Sequence, residues 1–183
     1  MKKETASTAF SGYDFLEMFV ITMCALLLVF SFLFRQTVVK GGSMNETLAD
    51  GERLLISDVF YTPKPGDIIV FQALDTQHTY PLVKRVIAVE GQTVAVFSDG
   101  IYVDGVRLSE EYVYFSSPSY SYQSFGEITP GVTYTVPENQ LFVLGDHRDD
   151  SLDSRYFGFI DERTVLGRVI LRIAPLSKFG TVK

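Results

Sequence analysis

The chain has 183 residues, with 22 acidic and 16 basic side chains and a formal net charge of -6. It lacks the basic excess of a nucleic-acid-binding protein, so nucleic acid is not expected as a partner. The single cysteine, Cys24, excludes a disulfide within the chain and a cysteine-based metal site.

An apolar run near the N-terminus is long enough to cross a membrane. Residues 18–34 are apolar apart from one threonine and one serine, and roughly 17–25 such residues span a bilayer core of about 30 Å. A cleavable signal peptide has a shorter apolar core, followed by small residues, whereas bulky residues follow here. The sequence therefore predicts an N-terminal tail over 1–14, a retained transmembrane anchor over 15–35 and one domain over 36–183.

The charges that flank the apolar run leave its orientation open. Lys2 and Lys3 precede the run, and Arg35 and Lys40 follow it. Because the positive-inside rule compares basic residues on the two sides, this even distribution favours neither orientation.

The residues after the anchor are predicted to form a mainly β domain. Short runs of branched and aromatic residues alternate with turn residues, and Asp104-Gly105 is typical of a tight hairpin turn with positive φ at both central positions. Residues 112–130, rich in serine and tyrosine, are expected to form a long loop or irregular insertion. Strands are predicted over 53–56, 67–71, 82–89, 93–97, 101–103, 106–108, 132–136, 141–144 and 165–173.

A candidate nucleophile follows the anchor closely. Ser43 lies in the glycine-rich sequence Gly41-Gly42-Ser43-Met44, and a serine hydroxyl attacks at neutral pH only when a base lies within hydrogen-bonding reach. His78, His147 and the lysines are the available bases. A serine so close to the bilayer would act on substrates that come to the membrane.

A Ser-His-Asp triad is the first hypothesis for the base. His147 directly follows Asp146, but adjacent side chains of a strand point to opposite faces, so its carboxylate partner would lie elsewhere. His78 lies in the polar stretch 75–79, which is typical of a solvated loop.

A Ser-Lys dyad is the second hypothesis. Lys84 shares a strand face with Leu82 and Val86, and an apolar environment lowers a lysine pKa by disfavouring the charged form. Most strand lysines instead extend to solvent, so the residue pattern alone leaves both hypotheses open. Residues 145–155, dense in charges and hydroxyls, form either a solvated turn or a cross-paired loop in which Ser151 orients a nearby amine.

Four segments in order behind the anchor resemble the bacterial type I signal peptidases. Ser43 lies in the segment that resembles the nucleophile motif, and Lys84 lies in the one that resembles the base motif. The matching residues are Gly42-Ser43-Met44 with Thr47-Leu48, residues 66–71, residues 84–87, and Gly145-Asp146 with Arg148, Ser151, 153–155 and 157–158.

The resemblance implies a role for each site residue. Ser43 would be the nucleophile, with its backbone N–H in the oxyanion hole, and Lys84 would be the general base, with Ser151 holding the lysine amine. Three further residues would support the loop around the site: Asp146, Asp153 and Arg155. Gly41 stands where some members place a serine hydroxyl in the oxyanion hole. Two other positions depart from common members: Glu46 replaces a proline and His147 an asparagine.

The resemblance also implies a fold, an activity and a location. The expected protein is a membrane-anchored serine endopeptidase with antiparallel sheets that removes signal peptides from exported preproteins, cutting after small residues of the Ala-X-Ala type. No metal or organic cofactor is needed. Eukaryotic-type relatives have histidine at the position of Lys84, so the lysine indicates the bacterial type. In bacteria the catalytic domain of this family lies on the outer face of the cytoplasmic membrane, and the same location is expected here.

Two alternatives compete with this activity. A self-cleaving Ser-Lys repressor is soluble and carries a DNA-binding domain, which the anchor and the negative charge oppose. A signal-peptidase-like factor that assists the assembly of surface proteins, with weak or no turnover, is disfavoured by the intact Ser43 and Lys84. The sequence does not indicate an oligomeric state.

Overall fold

The structure is a computed structural model that describes residues 11–73, 80–117 and 126–182. The chain divides into two compact units, Met1–Phe34 and Arg35–Lys183. The stretch that contains His78, and the middle of the predicted insertion over 112–130, lie outside the described residues.

The first unit contains a 22-residue helix, α1 (Gly12–Leu33). Ser11 caps it, because its side chain accepts from the N–H of Tyr13 while the Asp14 carboxylate accepts from the N–H of Ser11 at 2.8 Å. The helix ends where Phe34 turns to extended backbone. At a rise of about 1.5 Å per residue, α1 is about 33 Å long. Within the described residues it is the one helix long and apolar enough to cross a membrane.

The second unit is mainly β, as predicted, and its strands pair antiparallel. A short helix, α2 (Ser154–Phe157), follows the charged loop. The described strands are Arg35–Val38 (β1), Arg53–Ser57 (β2), Ile68–Phe71 (β3), Leu82–Val89 (β4), Thr93–Phe97 (β5), Gly100–Val103 (β6), Val106–Arg107 (β7), Thr133–Thr135 (β8), Gln140–Leu144 (β9), Ile160–Asp161 (β10) and Val165–Ala174 (β11).

These strands form a seven-stranded sheet, in the order β1-β2-β11-β3-β4-β9-β10, and a four-stranded sheet, in the order β7-β6-β5-β8. The predicted hairpin at Asp104-Gly105 joins β6 to β7, with φ of 50° and 76° at the two residues. Side chains from both sheets share one core cluster, in which Ile87 and Phe142 of the larger sheet pack with Val94 and Ile101 of the smaller one.

Strand β4 lies in the interior of the larger sheet, between β3 and β9, and positions the candidate base. Ile69 of β3 pairs with Lys84, and Leu144 of β9 pairs with Arg85. Seven of the eight β4 residues are buried, because neighbouring strands and core clusters cover both faces. A basic side chain on this strand is therefore withdrawn from water.

Candidate active site

The candidate nucleophile lies on a turn that its apolar neighbours fasten to the core. Met44 directly follows Ser43, and Leu48 lies four residues further along the chain. Their side chains are 1% and 0% exposed and belong to one core cluster. Gly41 has φ of 81°, a backbone conformation that glycine adopts without strain. Its N–H donates to the carboxylate of Asp50 at 2.8 Å. The turn is thus held from both ends, with the Ser43 hydroxyl between them.

The structure brings Lys84 and Ser43 together. The Nζ of Lys84 lies 2.7 Å from the Oγ of Ser43, and Lys84 is only 2% exposed. A charged amine donates in this contact, whereas a neutral amine accepts the hydroxyl proton. Burial lowers the Lys84 pKa from 10.5 to about 8, even though the charges of Asp153 and Asp146 oppose the shift. The arrangement therefore makes a neutral amine available at mildly alkaline pH.

Asp146 joins three parts of the site. Its two carboxylate oxygens accept from Nε and Nη2 of Arg85 at 2.9 and 2.7 Å, and the Thr47 hydroxyl donates to it at 2.6 Å. Both side chains of the ion pair are buried. Asp146 thus links its own loop to β4 and to the nucleophile segment. Sequence reasoning assigned no role to Arg85 or Thr47, and the only available hint was the presence of both in the family-like segments.

Asp153 and Arg155 form a second buried ion pair. The guanidinium donates to both carboxylate oxygens at 2.8 Å, and Asp153 also accepts from the N–H of Gly145 at 3.0 Å. Burial raises the Asp153 pKa, but the charge and hydrogen bonds of Arg155 outweigh it, so the net shift is downward. Arg155 also donates to the carbonyl of Arg148 at 2.8 Å. These contacts join residues within the 145–155 loop, which is therefore cross-paired rather than a solvated turn.

Ser151 lies in this loop with a buried side chain. Within the described residues its Oγ makes no hydrogen bond of normal geometry, although it lies near enough to Asp153 to help lower the pKa of that carboxyl. The structure does not place Oγ in a hydrogen bond with the Lys84 amine. It does place Oγ beside Gly145, where a Cβ would lie 2.2 Å from Oγ and 2.4 Å from the Ser43 carbonyl oxygen. Gly145 therefore has no room for a side chain, which sequence reasoning did not single out.

The predicted oxyanion-hole donors differ in availability. Within the described residues, no acceptor binds the backbone N–H of Ser43. The N–H of Gly41 is instead occupied by Asp50, and glycine offers no hydroxyl. The geometry thus leaves the Ser43 N–H as the donor next to the hydroxyl.

His147 lies behind the nucleophile turn and makes no contact with the Ser43 hydroxyl. Its backbone N–H donates to the Ser43 carbonyl at 3.1 Å, and its ring Nδ1 lies 3.1 Å from the Gly42 carbonyl oxygen. The Ser-His-Asp hypothesis therefore gains no support from His147. Within the described part of the chain, no group of three or more His, Cys, Asp or Glu side chains could hold a metal ion.

Comparison with known proteins identifies the family of this chain. Residues 13–174 match the family described as "Signal peptidase, peptidase S26". The chain belongs to this family. It is 37% identical over 172 residues to "Probable signal peptidase I-1" of a Synechocystis species, an alignment that covers 88% of this chain and 81% of the relative. It is 33% identical to "Signal peptidase IB" of Staphylococcus aureus over 87% of each chain.

A solved structure is also similar. The crystal structure of a signal peptidase I from Enterococcus faecalis V583 aligns with 60% of this chain and 97% of that chain, with 38% identity and a TM-score of 0.49. Family membership and the curated relatives confirm the predicted resemblance and the prediction of a hydrolase of the signal peptidase I type. Signal-peptide removal, with preproteins as substrates, is the activity of this family.

Proposed function

We propose that Ser43 and Lys84 form the catalytic dyad of this signal peptidase, and that it cuts preproteins after small residues of the Ala-X-Ala type. The supporting observation is the 2.7 Å contact between the Ser43 hydroxyl and a buried amine. A pKa lowered to about 8 makes that amine a competent base near neutral pH.

The dyad accounts for every proton in the acylation step. Neutral Lys84 accepts the Ser43 hydroxyl proton as Oγ attacks the scissile carbonyl carbon. The carbonyl oxygen becomes an oxyanion beside the Ser43 N–H, and the protonated Lys84 then donates its proton to the leaving amine. The products are an acyl ester on Ser43 and the free mature protein.

Deacylation repeats the same proton transfers with water. Neutral Lys84 accepts a proton from a water molecule that attacks the ester, and then returns that proton to Ser43 Oγ as the signal peptide leaves with a new carboxyl group. No group beyond the chain and water is required for these steps.

The strand arrangement supports binding of an extended substrate. Strand β1 lies at an edge of the larger sheet, and the β4–β9 pairing begins at Arg85, so β4 residues before it have no β9 partner. An extended peptide adds to such free strand edges through main-chain hydrogen bonds. Shallow pockets would then admit only alanine-sized side chains by steric exclusion.

The remaining predicted residues would position the dyad. Ser151 is proposed to orient the Lys84 amine after rotation of its hydroxyl, because that buried Oγ has no hydrogen bond of normal geometry within the described residues. Three charged residues would keep its loop in place through the ion pairs described above: Asp146, Asp153 and Arg155.

The location is also part of the proposal. Helix α1 is long and apolar enough to span a bilayer once, and the β-rich unit would then lie on the outer face of a bacterial cytoplasmic membrane. This placement brings the dyad to the side where exported preproteins emerge.

The test is cleavage of a peptide that contains Ala-X-Ala by the full chain in detergent or liposomes, with the cut mapped by mass. We expect wild type to cleave after the second alanine, and Ser43→Ala and Lys84→Ala each to lose more than about 10³-fold in kcat. Matched controls are Ser57→Ala, at the end of β2, and the exposed Lys64→Ala. Near-normal turnover by Ser43→Ala would contradict the dyad. An intact, inert wild type would favour the assembly factor.

A further inference from the structure

His147 connects the nucleophile turn to two other segments. Its ring is only 9% exposed. On one side it meets the Gly42 carbonyl, and on the other it meets Asp149, whose Oδ1 lies 3.0 Å from Nε2. The Tyr114 ring packs against it, with centroids 4.9 Å apart. The ring is therefore held on several sides and has little freedom to turn.

The contacts to the nucleophile turn involve two successive carbonyl groups. The backbone N–H of His147 donates to the Ser43 carbonyl. Because a carbonyl oxygen only accepts, Nδ1 must carry the hydrogen in its 3.1 Å contact with the Gly42 carbonyl. Nδ1 carries this hydrogen in the doubly protonated ring, whose Nε2 donates to Asp149, and in the neutral tautomer whose Nε2 accepts from the Ser116 hydroxyl.

The Gly42 contact fixes the direction of the Ser43 N–H. The Gly42 carbonyl and the Ser43 N–H belong to one planar peptide group, and in a trans peptide they point in opposite directions. A donor that holds the carbonyl on the His147 side therefore directs the N–H to the other side. Glycine permits many backbone conformations, so without such a donor the peptide at Gly42 is free to rotate.

We propose that His147 is a positioning residue that locks the Gly42–Ser43 peptide so that the Ser43 N–H faces the oxyanion. The inference rests on the proposed function, in which that N–H stabilises the tetrahedral intermediate. The proposal gives a structural role to His147, which replaces the asparagine common in the family. Asparagine carries an amide nitrogen at about the reach of Nδ1, so it offers the same donor.

The surroundings of Asp149 support a rigid ring. Burial raises the Asp149 pKa, but backbone hydrogen bonds from Ser116 and Ser117 outweigh it, so the net shift is downward. Those two N–H groups lie 3.0 and 2.9 Å from the carboxylate oxygens. The firmly held Asp149 carboxylate accepts from Nε2 of the doubly protonated ring, and the Ser116 hydroxyl donates to Nε2 of the neutral ring, so that Nδ1–H faces Gly42 in either form.

The experiment compares three variants at position 147 in the full chain. His147→Asn keeps a donor near the Nδ1 position, His147→Gln moves the amide to about the Nε2 position, and His147→Ala removes it. Loss of an oxyanion donor costs on the order of 10²–10³ in kcat. We expect a loss of roughly 10- to 100-fold in kcat for the alanine and glutamine variants, with KM within about twofold, because the peptide is misdirected rather than removed. The asparagine variant should retain kcat within a few-fold.

A second measurement separates this role from general packing. A peptide aldehyde forms a tetrahedral adduct with Ser43, whereas an uncleavable peptide binds without one. We expect His147→Ala to weaken the aldehyde by the same factor as kcat and to leave the uncleavable peptide unchanged. If His147→Ala does not fold, the asparagine and glutamine variants decide.

Two results would overturn the assignment in distinguishable ways. Equal kcat for wild type and for the alanine or glutamine variant would refute the role of His147 and leave the dyad intact. A folded wild type that cleaves no Ala-X-Ala peptide would refute the proposed function, and this assignment with it.

Discussion

Lys84 and Arg85 are adjacent basic residues on one strand, and they differ in their hydrogen-bond partners. Both are almost completely buried, at 2% and 3% exposure. Arg85 binds a carboxylate, Asp146, through two hydrogen bonds, whereas among the described residues the Lys84 amine is hydrogen-bonded to the Ser43 hydroxyl and to no carboxylate. A bound carboxylate favours the charged form of its partner, and burial without one favours the neutral form. The same strand thus holds a guanidinium paired with a carboxylate and an amine whose pKa burial lowers to about 8.

Removing the structural cation is expected to have the largest effect on stability. Arg85→Met leaves the Asp146 carboxylate buried without its main partner, and breaking a buried pair in this way costs about 3–5 kcal/mol in unfolding free energy. The exposed Arg53→Met should change it by less than about 0.5 kcal/mol. Denaturant unfolding of the detergent-solubilised chain measures both.

The double variant Arg85→Met with Asp146→Leu sharpens the same comparison. Replacing both partners by apolar residues removes the unpaired charge, so much of the lost stability should return. A double variant less stable than the Arg85→Met single variant would contradict this explanation. It would show that the ion pair itself stabilises the fold, and that the loss in Arg85→Met does not come from the unpaired Asp146 carboxylate.

Removing the neutralisable amine is expected to stabilise the fold. A folded-state pKa of about 8 against 10.5 unfolded means that the unfolded chain binds more protons between these values, so Lys84 destabilises the fold most below pH 8. The cost is roughly 3 kcal/mol at pH 7. Lys84→Met should recover a large part of it at pH 7, and the gain should shrink between pH 8 and 10.5.

Unfolding free energies at pH 6, 7, 9 and 10.5 test this prediction, with the exposed Lys64→Met as the control. A Lys84→Met variant that is less stable than wild type at pH 7 would show that the amine is charged and paired in the folded state.

The pH dependence of activity should report the same amine. In the proposed dyad Lys84 acts only when neutral, so kcat/KM should rise with pH and level off above about 8. Below that value it should fall about tenfold per pH unit, so the rate at pH 6 should be roughly a hundredfold below the plateau. The measurement uses a peptide without groups that titrate in this range. A profile that stays flat down to pH 6 would contradict a lysine base.

Gly145→Ala is expected to have a smaller effect on stability than the change at Arg85 and a clear effect on activity. Its Cβ would meet Ser151 Oγ and the Ser43 carbonyl oxygen at 2.2 and 2.4 Å, so the loop and the nucleophile turn must separate. Overpacking of this kind costs about 1–3 kcal/mol, and the displaced Ser43 should lower kcat.

Gly105→Ala, in the β6–β7 turn, is the matched control for Gly145→Ala. It introduces backbone strain at φ of 76° but no clash within 4 Å, so it should cost about 1 kcal/mol and leave kcat unchanged. Equal kcat for wild type and Gly145→Ala would mean that the turn tolerates the displacement.

Much of the fold followed from local patterns. The predicted strand over 82–89 and the Asp104-Gly105 hairpin are present because β-branched runs and turn residues act over a few neighbours. Strand β1 was not predicted. Arg35–Val38 begins two residues after helix α1, lacks a clear alternation of apolar and polar residues, and is a strand because it pairs with β2. Strand β10 is too short to have a pattern of its own.

The sequence by itself determined the local features of this protein. These are an apolar helix near the N-terminus, a serine that follows two glycines and precedes a methionine, and a lysine within a strand rich in β-branched residues. The tertiary structure decided which groups meet. Lys84 lies 2.7 Å from Ser43, while Arg85 takes the carboxylate and His147 reaches the carbonyl of Gly42. Local patterns cannot encode these contacts, because the pKa and the hydrogen bonds of a side chain depend on its burial and on partners far away in the sequence.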